Sequence, residues 1–592
     1  MNTRHLMAAA AVFLLVLAVR PATALEPGDR VDDFRLLDHE GGSRHLYYYG
    51  DAPAVVIMVQ GNGCPIVRNA LPGFKALRDE FAPRGVEFLL LNANLQDDRA
   101  AIAREAEAFA IDLPVLLDDT QLVGESLGLV RTGEVIVIDP ATWTVAYRGA
   151  MDDRLTYEHQ KPAATEHYLR DAVEDLLAGR PVALASTEPV GCLINFPERN
   201  AEHAAISYAD TIAPMLVDNC VSCHRPGGIG PWAMTSYDMV RGFAPMIREV
   251  VRTRRMPPWH ADPAYGHFSN DRSLSADETR TLVHWIEAGA PRGEGVDPLL
   301  SHSDVQPEWG PLGEPDLVID IPATEVPATG VVDYQYKYVT NPLDRDVWVR
   351  ASQIIPGDRA ALHHVITRFG MVETEGPRQG RIRRDGPSGG LAGYVPGWVA
   401  RDLPEGTGTW LPAGATIEFQ MHYTTYGKAT TDQSRIGIYF HDQPPAHQIE
   451  TMILANPRIR IPAHAADHRE QAVRTFDSDV VVYSLLPHAH YRGKASEFRA
   501  VYPDGSEEVL LSVPNYDFNW QTTYELAAPK RLPAGTKMVH TTWWDNSARN
   551  PANPDPTREV PWGQQSWDEM LFGAVSYRRV ADDEQPAVAA RN

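Results

Sequence analysis

Along the first third of the chain, short unbroken apolar runs alternate with stretches of helical period. "AVVIMVQG" (54–61) and "VEFLLLNAN" (86–94) have the length and composition of strands buried on both faces, and "PVLLDD", "EVIVIDP" and "TVAYRG" follow. "VRNALPGFKALRDEF" (67–81) and "ATEHYLRDAVEDLLAG" (164–179) space their apolar residues as one helical face does. Strands alternating with helices predict an α/β domain with a parallel core over residues 25–181. Periodicity is lost over 182–207, which reads as a linker. It returns as a helical period over 208–296 and is lost again in the Pro/Gly-rich stretch 297–315. From residue 316 onward short β-type runs alternate with turn signals such as "YPDGSEE" and "LPAGT". That pattern predicts two tandem all-β sandwiches, 316–447 and 448–582, with a short tail at 583–592.

The whole chain has 592 residues, too many for one core, so several domains are expected. Its formal charge of −24 argues against nucleic acid and against an anionic membrane surface as partners. The first 24 residues have an early Arg4, an apolar run from Leu6 to Val19 and a small-x-small end at Ala22–Ala24. This is the pattern of a secretory signal removed before Leu25, and an exported, periplasmic protein with no stable membrane insertion is expected. Only four cysteines occur, at 64, 192, 220 and 223, too few for a disulfide scaffold in an exported chain of this length.

Two of them sit in "DNCVSCHRPGG": Cys220, Cys223 and His224. Thiols at this spacing can each form a thioether to a haem vinyl group while the adjacent histidine reaches the iron. A zinc or redox CxxC gives no reason for the abutting histidine. A helix opening on a capping box, Ser275 with Glu278, should present Leu282, Trp285 and Ile286 on one face. The segment resembles an all-α cytochrome c domain with one covalent haem c. For the sixth ligand, Met256 in "RRMPPWHADP" is favoured over His260 and His267. Met215, Met234, Met239 and Met246 read as core.

Residues 25–181 resemble the redoxin (thioredoxin-like) superfamily, with Cys64 of "GNGCPIVRNALPGF" at the start of the first helix. Three departures stand out: the resolving position three residues on is Val67, Gly133 replaces the usual cis-proline, and no Thr lies three residues before Cys64. Cys64 and Cys192 therefore remain open between a structural disulfide and active thiols.

In the β half, "LLPHAHYRG" puts His488 and His490 on one face of a strand end, a spacing that suits a metal ion. "ALHHVITRFG" supplies His363 and His364, "FQMHYTTYG" supplies His422, and "WGQQSWDEMLFG" supplies Met570. Adjacent histidines on a regular strand face opposite ways, so a shared metal requires a distorted strand or different ring nitrogens. Imidazoles with one thioether favour copper. The loop read over 540–570 also carries His540, taken as structural rather than as part of the site.

The order HH…H…HxH…M resembles the copper type II ascorbate-dependent monooxygenases, the family of the peptidylglycine α-hydroxylating and dopamine β-monooxygenases. The resemblance implies two jelly-roll-like sandwiches holding one copper each across a solvent-filled cleft. By position it implies His363, His364 and His422 on an electron-transfer copper. His488, His490 and Met570 would be the catalytic set, on the copper that meets O2 and substrate. The carboxylate-anchoring positions of the peptide-hydroxylating member are Leu486 and Ala574 here, so a more apolar small-molecule substrate is expected. The expected whole is a monooxygenase with two copper ions and its own haem, fed by an external electron donor. The alternative is a non-catalytic copper/haem electron-transfer or copper-handling protein.

Overall fold

Val55–Gln60, apolar but for its last residue, is buried along its whole length because sheet neighbours flank it and helices cover it. In the computed structural model, residues 25–156, 160–199, 201–302, 308–373, 382, 388–395 and 403–581 are described. The expected export signal (1–24) and the tail lie outside them. The described chain divides into two compact units, 1–32 with 52–200, and 33–51 with 201–592.

In the first unit, Val55–Gln60 pairs in parallel with Glu87–Asn92, which pairs in parallel with Val115–Leu117. Val135–Asp139 and Thr144–Gly149 add two antiparallel strands on the other side. Helices Pro65–Phe81 and Tyr168–Leu177 bury Phe74, Leu71, Leu169 and Val173 against this sheet. The α/β expectation holds, with two corrections to its limits. Residues 33–51, including the hairpin of Arg35–Leu37 and Ser43–His45, group with the second unit, where Tyr48 Oη donates to Asp545 (2.8 Å) and Asp51 pairs with Arg549 (2.7 Å). The stretch read as a linker from 182 is a strap seated on the first unit as far as residue 199. Ala185 and Thr187 bond the backbone of Arg148, Cys192 bonds Thr132, Ile194 bonds Val130, and Ile194 and Phe196 are buried. Its pairing is with loops and one strand edge, so no strand-like alternation marks it in the sequence.

In the second unit, one helical stretch runs from Tyr208 to Val221, followed by helices Tyr237–Arg252 and Ala276–Glu287. The capping box forms, and Leu282, Trp285 and Ile286 are buried. Asp297 accepts from Tyr208 Oη (2.8 Å), and Leu299 is buried, so the start of the presumed second linker closes this helical part. The helical domain is also interrupted. Trp259 joins the core of the C-terminal sandwich, and Asp262, His267 and Ser269 make backbone bonds to Ser512, Ala527 and Glu525.

Two sandwiches follow. In the first, Ile417, Phe419 and Met421 of one sheet pack on Val349, Ile436 and Ile438 of the other. In the second, Val480, Val482 and Val575 pack on Phe498, Ala500 and Met538. The chain passes from one to the other between Gln448 and Glu450, next to the expected boundary.

Candidate functional site

Leu362–Gly370 and Thr416–Tyr423 are neighbouring antiparallel strands whose register slips between Leu362 and His364. That irregularity resolves the difficulty of two adjacent histidines, because it turns both toward one point. His422 stands directly across from His364. His363 Nδ1 lies 3.1 Å from His364 Nδ1, which lies 3.3 Å from His422 Nδ1. One ligand atom from each of the three falls within 4.8 Å of the others. Burial pushes His363 down to about 4 and His422 to about 3, and holds His364 well below the ordinary imidazole value. All three are neutral at physiological pH, and His364 Nε2 is buried without a hydrogen-bond partner. Converging neutral nitrogens, one of them orphaned, fit a metal ion of the copper or zinc type.

The second set lies at the end of Val480–His488. His488 and His490 are buried, with ring centroids 5.2 Å apart, as expected of residues on one face. His488 Nδ1 lies 2.8 Å from Gln521 Oε1, which fixes the tautomer and leaves Nε2 as the nitrogen able to ligate. His490 Nδ1 lies 3.3 Å from the Asp568 carbonyl, and its Nε2 is buried without a partner. Met570 follows the fully buried Glu569, which accepts from the backbone N–H of His490 (2.9 Å) and Arg492 (2.6 Å) and from Trp544 Nε1 (3.0 Å). Two residues beyond Met570, Phe572 is the register partner of His488. Burial pushes the Glu569 carboxyl up to about 7. His540 Nε2 lies 2.9 Å from Ser496 Oγ and its ring stacks on Phe498 at 4.4 Å, while its Nδ1 is buried without a hydrogen-bond partner. It also belongs to strand Lys537–Trp544, so the loop read over 540–570 begins later than expected. Gln521, Glu569 and Phe518 sit in irregular chain, where sequence spacing carries no signal.

The two sets are not separated by an open cleft. His364 and His488 have ring centroids 6.5 Å apart. Phe518 stacks on His363 at 5.3 Å and meets His490 edge-on at 5.9 Å. Phe518 is buried because the connection between Val513 and Tyr524 folds it inward.

In the helical part, Cys220 and Cys223 fall at the end of the Tyr208–Val221 stretch, and the His224 N–H bonds the Cys220 carbonyl (2.9 Å). His224 Nδ1 lies 3.0 Å from the Trp232 carbonyl, leaving Nε2 available. A Cβ on Gly230 would lie 2.7 Å from His224 Nδ1, so glycine lets the chain close behind the ring. Two thiols and an anchored imidazole at this spacing fit a covalently held haem. Met256 is half-buried. His260 and His267 lie on the C-terminal sandwich instead, His260 buried beside Arg35 and Asp517.

In the first unit, Cys64 immediately precedes helix Pro65–Phe81 and is 3% exposed, whereas Cys192 is exposed. Both are free thiols, their sulfurs 3.1 Å apart, and Thr132 Oγ1 donates to Cys64 Sγ at 3.1 Å. Val67 is buried in the core.

Residues 27–153 match the AhpC/TSA family, and the first unit carries an oxidoreductase-type redoxin domain. Among solved structures, an uncharacterised conserved protein of Geobacillus kaustophilus is 28% identical over 29% of this chain and 93% of its own, with a TM-score of 0.27. A hypothetical protein of Sinorhizobium meliloti is 26% identical over 29% and 95%, with a TM-score of 0.26. A peroxidoxin of Mycobacterium tuberculosis is 21% identical over 26% and 95%, with a TM-score of 0.21. No curated protein matches the chain. Among the described residues, no helix is long and apolar enough to cross a membrane.

Proposed function

We propose that this chain is an exported copper monooxygenase that hydroxylates a C–H bond of an apolar small molecule with O2, its electrons entering from an external donor through a haem covalently held at Cys220 and Cys223. The observation that carries the reading is the trio His363, His364 and His422, whose ligand atoms lie within 4.8 Å of one another. In this reading the trio holds one copper, and His488, His490 and Met570 hold a second. Copper in these two sets would supply one-electron transfer and the activation of O2. A haem held by Cys220, Cys223 and His224, with Met256 as a further ligand, would supply the one-electron inlet.

The chain's own residues prepare both sets. Burial keeps the imidazoles unprotonated, so no proton has to leave before a metal binds. Gln521 and the Asp568 carbonyl hold Nδ1 of His488 and His490, which aims each Nε2. The Glu569 carboxylate accepts from the backbone N–H of His490, Arg492 and Met570, which ties the chain on both sides of Tyr491 to the start of the Met570 segment. Leu486 and Ala574, both apolar, are register partners on paired strands two residues before His488 and four after Met570.

A second reading, a copper/haem relay without chemistry, is favoured by one observation: Phe518 fills space between the two sets that a substrate needs. Incubating the copper-loaded full chain with reductant, 18O2 and cell extract separates the two. A product carrying one labelled oxygen supports the monooxygenase; copper-dependent oxidation of the haem with no labelled product supports the relay.

A further inference from the structure

The strap that follows the redoxin core carries a thiol to the one cysteine of that core. Cys192 N–H donates to Thr132 Oγ1 (3.0 Å), the Thr132 N–H donates to the Cys192 carbonyl (2.9 Å), and the Thr132 hydroxyl reaches Cys64 Sγ. The approach is so close that a Cβ on Gly191 would fall 1.7 Å from the Thr132 carbonyl oxygen. Within the core nothing replaces this partner, since Val67 occupies the usual second-thiol position.

We propose that Cys64 and Cys192 form a reversible dithiol/disulfide couple that oxidises an external dithiol, with exposed Cys192 meeting the partner and buried Cys64 as the departing thiolate. In the oxidised form a Cys64–Cys192 bond is present. A partner thiolate attacks Cys192 Sγ, the S–S bond breaks, and its electron pair leaves on Cys64. The partner's second thiolate then attacks its own sulfur in the mixed disulfide and releases Cys192. The partner has lost two electrons and two protons and become a disulfide; the couple has gained them. Attack in the reverse direction on a partner disulfide restores the oxidised form.

The asymmetry of the pair sets this order. Burial would raise the Cys64 thiol, but hydrogen bonds from Thr132, from the Val67 and Cys192 backbone and from the Cys192 thiol outweigh it and hold Cys64 below its ordinary value. Burial and the neighbouring Cys64 sulfur raise Cys192. The sulfur with the lower pKa is the better leaving group, and the exposed one is the sulfur that can be reached.

The test uses the full chain, equilibrated with graded ratios of reduced and oxidised dithiothreitol, quenched, alkylated and mapped by peptide mass. The Cys64–Cys192 crosslink should open and re-form across the series. Thr132→Val, which removes the hydroxyl from Cys64, should shift the midpoint about tenfold toward the disulfide. Cys192 in Cys64→Ser should react with dithiobis(nitrobenzoate) about ten times faster than Cys64 in Cys192→Ser. A crosslink that resists excess dithiothreitol, thiols that never join, or the reverse order of labelling would overturn the proposal. So would a Cys64 that forms a sulfenic acid with peroxide but does not exchange with dithiothreitol.

Discussion

His364 stands directly across from His422 on paired strands, their Nδ1 atoms 3.3 Å apart, because the register slips at His363. The two imidazoles thereby reach one point from two different strands. His422→Ala should remove one copper equivalent while leaving copper at His488 and His490. Metal analysis of the purified variant, with copper K-edge spectra, checks this; loss of both equivalents would mean that the six ligands form one site.

Gln521 Oε1 lies 2.8 Å from His488 Nδ1, so in the proposed function it orients that imidazole. Gln521→Ala frees the imidazole to turn, and should weaken Cu(I) binding at that set by about 10- to 100-fold. Competition with a chromophoric Cu(I) chelator measures it, and Gln521→Glu, which keeps the acceptor, should restore most of the affinity.

Met570→Ala should remove the sulfur signal from the Cu(I) spectrum and abolish labelled product, while copper at His363, His364 and His422 persists. Turnover equal to the parent would assign Met570 to packing.

At Cys220–His224, where we propose a haem, a methyl at position 230 would fall 2.7 Å from His224 Nδ1. Gly230→Ala should lower covalent haem content several-fold without unfolding the helices. Haem absorbance that stays with the denatured protein, compared with helical circular dichroism, gives the answer.

His540 gives the fold a pH dependence of definite sign. In the unfolded chain it titrates near 6.5; in the fold, burial, with His488 as a lesser cause, pushes it down to about 3. Between those values the unfolded chain binds the proton and the fold does not. The stability it contributes above 6.5 is therefore lost as pH falls through that window. His260, pushed to about 4 chiefly by burial, acts in the same direction. His540→Phe keeps the stacked ring but strands Ser496, so it should cost about 1 kcal/mol at neutral pH. Its urea midpoint should then fall less steeply than the parent's between neutral pH and about pH 5.

Periodicity made the layers legible. "AVVIMVQG" and "VEFLLLNAN" are the central strands of the first sheet, and Ser275 caps its helix with Glu278. The histidines were legible as residues, and His488 and His490 also as sharing a face. What periodicity could not carry was anything made by loops. The slip at His363 depends on how two strands pair, Phe518 and Gln521 sit in a turn between strands, and Cys192 lies in a strap whose hydrogen bonds go to residues some sixty positions earlier. The Pro257–Asn270 excursion onto the second sandwich is equally long-range, since its partners lie some 250 residues away.

The strap also decides how this protein can be taken apart. The family match ends at residue 153, yet Cys192 and the carbonyl that receives the Thr132 N–H come after it. A fragment cut at 153 would keep Cys64 and lose its only thiol neighbour among the described residues, and it would expose Thr132 to water. Its reactivity would be that of a one-cysteine protein. Swapping this module between chains therefore means moving everything up to residue 199, and an activity measured on the shorter piece would describe a different molecule.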